Sequence, residues 1–142
     1  MTFQQPPKKS WHQYKKVAPK GARTSANGIV FHSKTEKDRY EHLRLLQMAK
    51  EISGLETQVR FDLKSFGEHP FIVMAGIKCA HYTCDFFYIE HGATPDEDRV
   101  IIEDTKGYMD ENSKLRIRVF EAFYGHKVRI VKKVKGKGWV IN

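Results

Sequence analysis

The stretch Ile101-Ile102-Glu103-Asp104-Thr105-Lys106-Gly107 decides how this chain is read. Two β-branched residues lead into a pair of acids, and a lysine follows two positions after Asp104 before a glycine ends the run. Strand side chains alternate between faces, so Asp104 and Lys106 share one face while Glu103 and Thr105 take the other. Upstream, Tyr82-Thr83-Cys84-Asp85-Phe86-Phe87-Tyr88-Ile89 is dense in aromatic and β-branched residues and carries Asp85. The intervening His91-Gly92-Ala93-Thr94-Pro95-Asp96-Glu97-Asp98 is polar and holds Gly and Pro, which reads as the turn of a hairpin. Pairing of its arms would bring Asp85 beside Asp104 and Lys106.

Working outward, Ser33-Lys34-Thr35-Glu36 has the form of a capping box, and Tyr40, Leu43 and Leu46 recur behind it at helical spacing. A helix is expected over residues 34–51, ended by Ile52-Ser53-Gly54. Val59, Phe61 and Leu63 alternate within an expected strand at 58–66, and Phe71-Ile72-Val73-Met74 suggests another. After the lysine, Leu115, Val119, Phe120 and Phe123 mark the apolar face of a helix over 113–124, closed by Gly125. Residues 127–131 alternate base and apolar side chain as a half-exposed strand does, and Trp139-Val140-Ile141 can add an edge. The order is helix, antiparallel meander, hairpin, helix, strand, and the fold class expected is α/β (α+β), a mixed central sheet flanked by helices.

A chain of 142 residues with 40% hydrophobic residues suits one domain with a core of ordinary density. The net charge of +8 is unevenly spread. Residues 1–26 hold six Lys or Arg and no acid, residues 127–137 hold another six and no acid, and the centre at 27–126 has 13 bases against 17 acids. Basic ends around an acidic centre suit a protein that attracts a polyanion and holds a divalent cation. Residues 1–26 lack apolar periodicity and read as a flexible basic arm, with Lys15 and Lys16 as candidate DNA contacts; Trp11 and Tyr14 could stack on bases or dock on the domain. The folded domain is expected over 27–142.

Cutting a phosphodiester requires a nucleophilic hydroxide, neutralised charge at phosphorus and a stabilised leaving oxygen, all of which Mg²⁺ or Mn²⁺ can supply. Mg²⁺ takes hard oxygen ligands and keeps several waters. Asp85 and Asp104 suit that role, with the backbone carbonyl of Thr105 as a further ligand, and Lys106 can orient the attacking water or stabilise developing charge. Alone, the Asp-x-Lys triplet is also what a solvated strand face with a salt bridge looks like. Asp85 on the neighbouring arm and the apolar runs on both arms favour the catalytic reading. Glu36 occupies the capping-box position, so it serves either as a helix cap or as a further site carboxylate.

Asp85 followed by Asp104-Thr105-Lys106, with Glu36 on an upstream helix, resembles the PD-(D/E)xK nuclease superfamily, in an order similar to that of the archaeal Holliday junction resolvases. More closely, Phe31-His32-Ser33-Lys34-Thr35-Glu36, Ile52-Ser53-Gly54-Leu55-Glu56-Thr57-Gln58, Tyr82-Thr83-Cys84-Asp85-Phe86 and Glu103-Asp104-Thr105-Lys106-Gly107-Tyr108 look like a family of small phage resolvase-like nucleases. The likeness spans about residues 27–131. It implies a restriction-endonuclease-like core, with Glu36, Asp85 and Asp104 as metal carboxylates and Lys106 as the catalytic lysine. Cys84 stands where the motif has its proline, and the third carboxylate is Asp rather than Glu, which shifts metal placement without abolishing ligation.

The function expected is a metal-dependent DNA endonuclease acting on branched DNA in phage recombination or replication. A homodimer would supply the two symmetric cuts that a four-way junction needs. The alternatives are a nuclease for a different DNA substrate, and a non-catalytic DNA-binding or recruiting protein on the same fold that holds phosphates with the arm and residues 127–137. Lys114 and Arg118, four apart on the second helix, are candidate phosphate contacts, or simply an exposed helix face. Gln58 resembles the family's glutamine. His32, His42, His69, His81, His91 and His126 show no spacing for histidine-led chemistry. Cys79, His81 and Cys84 do not make a four-ligand zinc site. With no signal-peptide pattern and no stretch of membrane-spanning length, a cytoplasmic protein is expected, in the host's cytoplasm for a phage product.

Overall fold

The computed structural model describes residues 8–9, 23–24, 28–63, 81–106 and 108–142. Three of the strands are two residues long: β1 (Lys8–Lys9), β2 (Arg23–Thr24) and β3 (Val30–Phe31). The core elements are α1 (Lys34–Met48), β4 (Ile52–Asp62), β5 (His81–Glu90), β6 (Arg99–Thr105), α2 (Glu111–Tyr124), β7 (Val128–Val134) and β8 (Gly138–Ile141). Six strands form one sheet in the order β1-β4-β5-β6-β7-β8, and β2 pairs with β3 apart from it. Every pairing is antiparallel except β6 with β7. A parallel pair needs a crossover, and α2 supplies it.

This is the α+β architecture expected, a mixed sheet between helices, consistent with a restriction-endonuclease-like core. On one face, Tyr40 and Leu43 of α1 pack with Phe31, Phe86, Tyr88 and Ile101. On the other, Ile117, Val119 and Phe120 of α2 pack with Val59, Phe61, Cys84, Phe87 and Ile102. Both strands of the hairpin are therefore covered on both sides, which explains their near-continuous apolar runs. Its turn, over residues 91–98, is braced by Asp98, which accepts from the Gly92 N–H and pairs with His91.

Four expectations are amended. The first helix ends at Met48, with Lys50 taking the left-handed position (φ 63°) that a glycine usually fills. β4 starts at Ile52, where the helix stop was expected, because the pleat is broken by a bulge between Ser53 and Glu56 and the strand shows no alternation there. On α2, Val119 and Phe120 are buried as expected, but the third buried residue is Ile117, and Leu115 is only half-buried. Two dipeptides of the segment read as a flexible arm pair as strands, β1 against Phe61 and Arg60 and β2 against Phe31 and Val30. Lys15, Lys16 and the expected strand at 71–74 lie outside the described residues.

Candidate active site

The β5–β6 ladder runs from the Glu90·Arg99 rung to Phe86·Glu103 and ends one rung short of Asp85 and Asp104. Past that point carboxylates replace the ladder. The Asp85 N–H donates to Asp104 Oδ1 at 3.0 Å, and the Thr105 N–H donates to Asp85 Oδ2 at 2.8 Å. Buried backbone donors must find acceptors, so each acid is fixed by the strand that carries the other. Tyr82 adds a hydroxyl bond to Asp104 Oδ2 at 2.7 Å. The two acids expected to meet do meet.

The strands part here because their pleat slips. Tyr82 and Cys84 face α2, whereas Phe86 and Tyr88 face α1, so the alternation shifts by one residue across Asp85. On β4, the Thr57·Phe86 and Val59·Cys84 rungs leave Gln58 opposite Asp85. Gln58 has φ 53° and donates a long bond, 3.4 Å, to Asp85 Oδ1. Holding a buried non-glycine residue in the left-handed region costs about 1–3 kcal/mol, a strain that concentrates at functional sites.

α1 brings the third carboxylate. Ser33 caps the helix by accepting from the Glu36 N–H at 3.1 Å, and Glu36 accepts from the His32 N–H at 3.3 Å. Glu36 also lines the same cleft of about 220 Å³ as Gln58, Asp85, Asp104 and Lys106. Glu36 thus accepts at the start of the helix, from His32 rather than from the Ser33 N–H, and also lines the cleft. Burial pushes the Glu36 carboxyl up, against the pull of His32. Burial raises Asp85 well above its usual range, and Asp104 and Glu36 raise it further. Asp104 is raised by burial despite Lys106 and Tyr82. For Lys106, burial disfavours the charge, but Asp104, Asp85 and Glu36 outweigh it and the ammonium is held protonated.

These four groups, fully ionised, leave two negative charges unmatched. Among the described residues, no three His, Cys, Asp or Glu side chains already converge on one point. Mg²⁺ asks for less, one or two carboxylates and several waters. Asp85, Asp104 and the Thr105 carbonyl fit that donor set chemically, with Glu36 facing the same space.

Of the residues expected to touch DNA, Lys114 is exposed and pairs with Glu111, and Arg118 is exposed on the same side of α2. Neither lines the cleft. Ser113 and Arg116 do, and sequence reading missed both. They continue the stripe of buried Ile117 and Phe120 and half-buried Tyr124 one turn towards the N-terminus, a pattern visible once the stripe is placed correctly. Tyr82 was also missed, because a buried strand tyrosine has no motif. Cys84 is buried, its thiol pushed well up by burial, and reads as packing.

Fold and cleft together define an α+β protein with a lysine-bearing acidic cleft at one end of its sheet. Residues 13–138 match the family described as "Protein of unknown function (DUF1064)", and the chain belongs to it. No curated protein and no solved structure matches. No helix among the described residues is long and apolar enough to cross a membrane.

Proposed function

We propose that this protein is a divalent-metal-dependent endonuclease that hydrolyses phosphodiester bonds in DNA. The observation that carries the reading is the reciprocal bonding of Asp85 and Asp104 at the parting of β5 and β6, with Glu36 and Lys106 in the same cleft. A salt-bridged surface face would expose these acids, yet Asp104 is 2% and Asp85 7% accessible. Burying excess carboxylate is costly and is retained where a cation or substrate compensates it.

Asp85, Asp104 and the Thr105 carbonyl would hold Mg²⁺ or Mn²⁺, with Glu36 directly or through water. Such an ion, when bound, supplies an activated hydroxide and a counter-charge for the phosphate. Lys106, kept cationic by three carboxylates, is suited to orient water and to steady developing negative charge, and unsuited to accept a proton. Tyr82 and the backbone N–H groups hold the acids still, which limits reorganisation during reaction. Arg116 places a further cation at the rim for a non-bridging phosphate oxygen.

The resemblance to junction resolvases makes branched DNA in phage recombination or replication the proposed substrate, cut by a homodimer. The test is labelled four-way junction, flap and linear duplex incubated with Mg²⁺ or EDTA. Cleavage should require the metal and fall on the order of 10²–10³-fold in Lys106→Ala while binding persists, as for loss of one electrostatic stabiliser. Binding without metal-dependent cleavage on any substrate would replace this reading with that of a DNA-binding recruiter.

A further inference from the structure

We infer that the β7–β8 hairpin is a docking arm for the DNA backbone flanking the scissile phosphate, with Lys132, Lys135 and Lys137 as its contacts. This rests on reading the cleft as a phosphodiester site. The hairpin's position follows from strand register. β6 and β7 run parallel with Asp104 opposite Ile130 and Thr105 opposite Val131, and the Lys106 N–H donates to the Val131 carbonyl. β7 therefore continues past the last residue of β6 at the end of the sheet that carries the cleft. Lys132 follows Ile130 by two, which puts it on the strand face of Asp104 and one rung beyond the last pair. At about 3.3 Å per residue, the turn after Val134 projects roughly 10 Å beyond Val131, a reach of one or two nucleotides.

Charge separates the two ends of this sheet. At the far end, cations are matched: Arg99 and Arg129 pair with Glu90, and Lys127 pairs with Glu121. The turn there adds Asp96, Glu97 and Asp98. At the cleft end, Lys132, Lys135 and Lys137 are exposed, and none has an acidic partner among the described residues; Lys133 alone is engaged, by Asp38 at 2.9 Å. From the cleft, where Lys106 is matched by its carboxylates and Arg116 lies at the rim, these unpaired lysines continue out along the hairpin. A polyanion whose phosphates repeat along a line fits this strip, and the far end repels it.

The test compares the wild-type protein with the triple variant Lys132→Gln/Lys135→Gln/Lys137→Gln, and with Lys127→Gln just before the other end of the same strand. Binding to a 30-base-pair duplex in EDTA is measured across salt concentrations, and cleavage is measured with Mg²⁺. The triple variant should lose at least tenfold in affinity at moderate salt. The slope of log K against log salt should shrink by about 2–3, near 0.9 for each phosphate contact removed. Cleavage at saturating DNA should stay within twofold, the loss falling on KM, and Lys127→Gln should bind as the wild type does. An unchanged slope in the triple variant, or an equal loss in Lys127→Gln, overturns the arm. A changed slope with no cleavage of any substrate leaves the arm standing and removes the nuclease reading; cleavage with an unchanged slope does the reverse.

Discussion

Glu103 and Asp104 are neighbours on one strand, both buried, and they belong to opposite kinds of cluster. Glu103, 0% accessible, accepts from Arg39 Nε at 2.7 Å and Nη2 at 2.9 Å and from the Tyr88 hydroxyl at 2.5 Å. Arg129 reaches Tyr88 and closes on Glu90, which Arg99 also meets, so three arginines meet two glutamates and each of these carboxylates has a counter-charge. Asp104 faces Asp85, Glu36 and one lysine, and its cluster carries excess negative charge. Burial costs both clusters solvation, and only the first recovers it from its own side chains. A buried group that the protein leaves uncompensated is a place for something else to bind.

The largest effect should fall on the charge-compensated network. Glu103→Gln leaves Arg39 buried and uncompensated and should cost about 3–5 kcal/mol in a urea or thermal melt. Replacing both partners, Glu103→Leu with Arg39→Met, should cost much less than either single change. Equal costs would mean that the pair is not the unit that stabilises α1 against the sheet.

In the acidic cluster the sign should reverse. Asp85→Asn removes a carboxylate that burial and its neighbours disfavour, keeps an acceptor for the Thr105 N–H, and should stabilise the metal-free protein by about 1 kcal/mol. A rise of about 2–6 °C in Tm would register it. Destabilisation would show that Asp85 serves the fold as Glu103 does.

The smallest effect concerns pH. The Arg129 bond, opposed by burial and aided by Arg99, holds the Glu90 carboxyl below its ordinary value of 4.5. A depressed native pKa gives stability that is full above the unfolded value and lost as pH falls through the native one. Wild type should therefore lose stability below about pH 4.5 faster than Glu90→Gln, measured by melts between pH 3 and 6. Parallel profiles would detach Glu90 from the network.

Much of this contrast was legible in sequence. Two apolar runs and a Gly/Pro turn specify the hairpin, and alternation along β6 puts Glu103 and Asp104 on different faces. The capping box located Glu36 and its helix. Arg39 was not legible as the partner of Glu103, because a contact across 64 positions leaves no local pattern. The slip at Gln58 and Asp85 was hidden because a change of face within a strand whose two sides are both apolar leaves no break in the period-2 signal. Arg116 was missed because the apolar face of α2 was drawn through Leu115, Val119, Phe120 and Phe123 without Ile117, which turned the polar residues of its first turns to the wrong side.

The central claim is that Asp85 and Asp104 form a cation site, and calorimetric titration of Mn²⁺ into the metal-free protein tests it most directly. Wild type should bind, and should gain about 1.4 kcal/mol of stability at tenfold excess over Kd. Asp85→Asn, though the more stable protein without metal, should lose both the heat and the gain. Equal Mn²⁺ affinity in the two proteins would contradict the account.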